Sequence, residues 1–220
     1  IQVDDPTLAV TYIDWHKDAI TAYSSDCGAF PLTYVPDDNF EQALIDLGYD
    51  SGPLNDSVPT SNINSAIALS LQNKNIADLT GIEGFSKLER LYLSGNKLTS
   101  LDLSKNAKLK VLHCQNNQLT SLDISKNIAL TEVAPNFNQI TSLDLSKNTA
   151  LIKVFCQSNQ LTELDVSNNK SLVTLTCGAN QLTSLDVSNN IALVFLACDN
   201  NKIESLDLNN NHSLSYLLCN

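Results

Sequence analysis

The stretch "LTSLDLSKN", residues 98–106, returns almost letter for letter at 119–127, 140–148, 161–169, 182–190 and 203–211, the copies running "LTSLDISKN", "ITSLDLSKN", "LTELDVSNN", "LTSLDVSNN" and "IESLDLNNN". The spacing is 21 residues throughout. Working outward, each copy is preceded by a second phrase of the same form, LxxLxLxxN, as in "LERLYLSGN" at 88–96. The chain from Leu88 therefore divides into units beginning at Leu88, Leu109, Leu130, Leu151, Leu172 and Leu193, with a partial one, "LSYLLCN", from Leu214. Before them "IALSLQNKNIADLTGIEGFSK" is a looser copy whose strand register is offset by one residue.

A period of this length indicates a solenoid, because one unit cannot bury its own leucines and stacked units can. The alternation L-x-L points two apolar side chains to one face of a short strand and the residue between them to the other. The following Asn turns the chain, by adopting the left-handed conformation or by tying its amide to the backbone. The expected fold class is a repeat solenoid with parallel sheet, short strands and little helix outside a small N-terminal cap. Three regions follow: 1–30, to which the reading assigns no structure; an acidic helical cap at 31–65; and the solenoid at 66–220. In the cap, Asp37 or Asp38 is a good helix N-cap. Phe40, Ala43, Leu44 and Leu47 before Gly48 then space one short amphipathic helix, and a second helical turn is expected after Thr60. In 1–30, "LAVTYI" reads as a strand and Trp15 as an anchor on the cap.

These repeats resemble leucine-rich repeats, in particular the bacterial 21-residue IRREKO type, LxxLxCxxNxLxxLDLxxNxx. The stretch from "VPDDNFEQALIDLGYD" to "NIADLTGIEGFSKL" resembles the N-terminal cap and first repeat of internalin-like surface proteins. The resemblance implies a secreted or cell-surface protein, its signal peptide already removed, that binds a protein or polysaccharide ligand on the concave sheet formed by the first phrase.

Charge narrows the partners. The net charge is −11, and residues 1–65 hold eleven acidic side chains against Lys17 alone. An acidic cap on a near-neutral body repels phosphate backbones and anionic lipid heads, which argues against nucleic acid and membrane surfaces. No apolar run approaches the ~18 residues that a spanning helix needs.

Several columns carry chemistry-bearing residues. Cys114, Cys156, Cys177, Cys198 and Cys219 share the second inward site of the first strand, with Cys27 outside the column. Parallel register spaces such Cβ atoms about 4.8 Å apart, beyond the ~3.8 Å of a disulfide, so free, buried thiols are expected. Asp102, Asp123, Asp144, Asp165, Asp186 and Asp207 form an outward file. Ser and Thr hydroxyls or amides of adjacent coils, with Ser100 and Ser104 flanking Asp102, nearby lysines, or a row of Ca²⁺ ions would offset their repulsion. Thr99, Thr120, Thr141, Thr162 and Thr183 invite an ice-binding reading. No cofactor is implied and no catalytic constellation is present. His16, His113 and His212 are scattered, and alternation turns His113 and Cys114 to opposite faces.

The first phrase varies where the second is constant. Its outward columns run Arg90, Val111, Glu132, Lys153, Thr174, Phe195, Tyr216 and Tyr92, His113, Ala134, Phe155, Thr176, Ala197, Leu218. Aromatic and Arg side chains on an exposed sheet are the usual anchors of protein interfaces. The candidate ligand-binding residues are Arg90, Tyr92, His113, Lys153, Phe155, Phe195, Tyr216 and Leu218. A spacer or display stalk of a larger surface protein is the alternative. The last coil ends on Asn220 without a polar capping segment, so either a longer parent protein or weak end-to-end association of an otherwise monomeric chain is expected.

Overall fold

A computed structural model describes residues 31–220; the expectations for 1–30, including Trp15, His16 and Cys27, lie outside the described residues. The repeating phrase begins each coil with a three-residue strand. β3 (Ala68–Ser70), β4 (Arg90–Tyr92), β5 (Val111–His113), β6 (Glu132–Ala134), β7 (Lys153–Phe155), β8 (Thr174–Thr176), β9 (Phe195–Ala197) and β10 (Tyr216–Leu218) form one eight-stranded sheet, each strand parallel to the next in chain order. Register is the repeat made visible: Arg90 pairs Val111 and Thr174 pairs Phe195, while Ala68 pairs Arg90, the one-residue offset expected of the looser first coil.

The core lies behind this sheet as stacked columns. Leu91, Leu112, Val133, Val154, Leu175 and Leu196 are fully buried, as are Leu88, Leu109, Leu130, Leu151, Leu172 and Leu193. A coil with two buried neighbours hides every such side chain, at roughly 1.5–3 kcal/mol each. The second phrase contributes Leu98, Leu119, Leu161 and Leu182 to the same core but builds no second sheet. Its coils are joined by single backbone bonds, such as Gln118 N to Leu98 O at 2.9 Å and Gln181 N to Leu161 O at 2.8 Å.

Two asparagine ladders stitch the bends. Asn180 Nδ2 donates to Cys177 O of its own coil and Cys156 O of the preceding one, while its Oδ1 accepts from Leu161 N. These Asn residues are not the left-handed ones. That conformation falls one residue earlier, at Gly95, Asn116, Phe137, Ser158, Ala179 and Asn200, whose amides each reach the next coil's carbonyl. In the second ladder Asn169 Nδ2 bonds Leu145 O and Asn148 O, so the amide acts there as a donor alone.

The cap sits at the β3 end. Helix α1 (Asp38–Asp46) starts at Asp37, whose Oδ1 accepts from Phe40 N at 2.9 Å and whose Oδ2 accepts from Ala77 N and Asp78 N of the first coil. One carboxylate thus caps the helix and fastens it to the solenoid. Phe40, Ala43 and Leu44 are buried, but Leu47 is exposed because the helix ends before it packs. An antiparallel pair of β1 (Leu32–Tyr34) and β2 (Ser57–Pro59), which flank α1 in the chain, followed by the short helix α2 (Thr60–Ile63), completes the cap. Glu41, buried on α1, accepts from Asn55 N and Asp56 N, which satisfies the charge.

Candidate functional site

Alternation along each three-residue strand places the candidate ligand-binding residues on the outer face of the eight-stranded sheet, the first and third positions pointing out and the second into the core. Arg90 and Lys153 are exposed, and Tyr92, His113, Phe155 and Phe195 half-buried. Tyr216 and Leu218 are 49% and 38% exposed.

The face is patterned by coil. Towards β4–β7 it is polar and networked. His113 Nε2 lies 2.7 Å from Glu132 Oε1, and Lys153 Nζ donates to Glu132 Oε2 at 3.1 Å, so three successive coils are linked by one carboxylate. Part-burial works to raise the Glu132 carboxyl, but bonds from His113 and Lys153 outweigh it and hold it below the ordinary range. Tyr92 meets the His113 ring edge-on at 5.2 Å. Towards β9–β10 the face is aromatic: Phe195 and Tyr216 stack at 4.4 Å with their planes 5° apart. Parallel in-register pairing produces this stack, since it aligns the same position of neighbouring coils.

Pro135 occupies the cysteine column in the third unit, where Cys156 N donates to Thr176 O and Cys177 N to Ala197 O. Proline has no N–H to give, and β6 and β7 pair at two positions instead of three.

The other columns resolve into structure. Cys114, Cys156, Cys177 and Cys198 are buried and free, as expected, but Cys219, beside the edge strand β10, is free and exposed. Burial pushes the Cys114 and Cys156 thiols up to about 12. Each outward Asp takes the amide two residues on in its own coil, as Ser104 N to Asp102 Oδ1 at 2.9 Å and Ser167 N to Asp165 Oδ1 at 2.8 Å. Of the expected partners it is the flanking serine of the same coil, Ser104 for Asp102, that serves, and not amides of adjacent coils: an Asp two residues before a turn closes the bond locally. Among the described residues, the acidic trio with oxygens near enough to share a cation is Asp38, Glu41 and Asp56, outside the Asp file. Both Glu41 oxygens there are already spent on amides.

A leucine-rich repeat family model matches residues 87–107, the unit around β4. The fold is a leucine-rich repeat solenoid. Solved structures agree: internalin C2 of Listeria monocytogenes is 21% identical over 85% of this chain and 95% of its own, with a TM-score of 0.64. A leucine-rich repeat protein of Leptospira interrogans is 22% identical over 74% of this chain and 50% of its own, with a TM-score of 0.61. The functional domain of InlJ from L. monocytogenes, described as including a cysteine ladder, is 26% identical over 86% of this chain, with a TM-score of 0.41; the present chain spans 57% of its length. No curated protein matches the chain. Among the described residues no helix is long and apolar enough to cross a membrane.

Proposed function

We propose that this leucine-rich repeat chain is a binding module, working outside the cell or at its surface, that recognises a protein through the outer face of its sheet. Arg90, Tyr92, His113, Lys153, Phe155, Phe195, Tyr216 and Leu218 form the contact. The observation that carries this reading is the contrast between two outward surfaces of one repeat. The second phrase keeps its Asp in every coil, where a local amide bond explains it. The sheet face changes from coil to coil and leaves a stacked aromatic pair in reach of solvent. Stacking of the coils does not require that variety, because inward columns supply the core. Exposed aromatics cost solubility and contribute strongly when covered by a partner.

The test is capture from extracellular proteins and polysaccharides by wild type and by Phe155→Ala/Phe195→Ala/Tyr216→Ala. A protein retained by wild type and lost by the folded triple variant supports the reading. A captured polysaccharide changes the ligand class, retention by both moves the site off this face, and capture by neither leaves a spacer.

A further inference from the structure

The sheet face has a polarity of charge that the binding reading does not use. Beside the N-terminal ends of β4 and β5 stand Lys87, Arg90, Lys108 and Lys110, all exposed, in a chain of net charge −11. One carboxylate, Glu89, stands among them, and it pairs with Lys110 at 2.9 Å. Among the described residues no carboxylate pairs with Arg90 or Lys108. At the Lys110 position of later coils stand Ile152, 40% exposed beside β7, and Val194, 38% exposed beside the Phe195–Tyr216 stack. Glu132 and Lys153, between the two ends, are paired with each other.

Resting on the binding reading, we propose that this face is bipartite. It takes a protein segment that is acidic at one end and aromatic or aliphatic at the other, laid along the solenoid axis. Carboxylates of the segment meet Arg90 and Lys108; its apolar side chains meet Ile152, Phe195 and Tyr216. β4 and β9 are five strand spacings apart, about 24 Å at ~4.8 Å each, the reach of roughly 16 helical residues. A uniformly charged polymer satisfies the cationic half and leaves the aromatic half bare, so charge and apolarity together favour a protein. The free cations steer such a segment and set its direction, and the aromatic end holds it.

The experiment pans a displayed library of random peptides of about 20 residues, long enough to span both halves, against the full chain at low salt. Enriched peptides are then measured on Arg90→Glu/Lys108→Glu, on Phe195→Ala/Tyr216→Ala and on Ile152→Glu, each checked for retained fold. Arg90, Lys108 and Ile152 are exposed, so those substitutions leave the core untouched. The expected result is peptides with Asp and Glu at one end and Phe, Trp or Leu at the other. Their affinity falls about tenfold or more on either half's variants, and the charge effect fades as salt is raised. Peptides lost with the apolar variants but indifferent to Arg90→Glu/Lys108→Glu overturn the bipartite assignment and leave the binding reading standing. Polygalacturonate binding that needs Arg90 and Lys108 but not Phe195 and Tyr216, with no acidic–apolar peptides enriched, assigns the face to an anionic polysaccharide instead. No enrichment, or indifference to every variant, removes the face and the binding reading with it.

Discussion

Asn169 shows how much a single side chain carries here. Its buried Nδ2 serves Leu145 O and Asn148 O, the two ends of a bend in the preceding coil. Asn169→Ala removes two buried hydrogen bonds but leaves Leu145 O and Asn148 O the amides of Asn148 and Leu151, so it is expected to cost about 1–3 kcal/mol, read by urea denaturation. The exposed neighbour Asn168→Ala should stay within about 0.5 kcal/mol. Phe137 presents the opposite case. It is exposed and held at φ 55°, a conformation that crowds Cβ against the following carbonyl. Phe137→Gly is expected to raise stability by about 1 kcal/mol, and a fall in the urea midpoint would show that its ring packs on something.

At the scale of the element, the Asp file is a run of local turn closures under mutual repulsion. The amide and hydroxyl of Ser104 lower Asp102, as those of Ser125 and Ser146 lower Asp123 and Asp144. Ser167 lowers Asp165 against the opposing charges of Asp144 and Asp186. Folded values below the ordinary 3.8 mean that these groups contribute stability above that pH and lose it as pH falls through their depressed values. The melting temperature should therefore change little between about pH 5 and 7 and drop below about pH 4. Asp165→Asn keeps an oxygen for the Ser167 amide and removes a charge that no lysine follows, since Asn168 replaces the lysine of earlier coils. It should cost a little stability at pH 7, since the folded state favours the charged form, but less than Asp102→Asn, which also loses the attraction of Lys105. Thermal melts of the two variants side by side decide it.

At the scale of the whole molecule, each coil touches its neighbours and nothing further along the stack, as the sheet order β3 to β10 requires. In-frame deletion of residues 130–150, one 21-residue unit, rejoins Lys108-type and Leu-type columns without a break. The shortened chain should fold, with the same circular dichroism shape and a lower melting temperature. Deleting 20 residues instead leaves one coil a residue short, which misplaces that coil's inward leucines against its neighbours, and should lower the melting temperature further than the 21-residue deletion does. If both deletions behave alike, register is not what holds the stack.

The columns, the 21-residue coil, the inward leucines and thiols, the asparagine bends and a helix N-cap at Asp37 or Asp38 were legible in the residues, because each follows from period-2 alternation or from local turn chemistry; the structure decides for Asp37. The sheet-face residues were legible as outward for the same reason. What the tertiary structure decided depends on contacts between coils. The second phrase has the letters of a strand, yet it pairs through isolated bonds and forms no sheet. Glu41 reads as a surface acid and is buried, since only the folded cap brings the Asn55 and Asp56 amides to it. The bridging of His113 and Lys153 by Glu132, and the stacking of Phe195 on Tyr216, arise from residues 19 or 21 positions apart. A linear reading places those residues in columns; parallel register at strand spacing turns the columns into a surface.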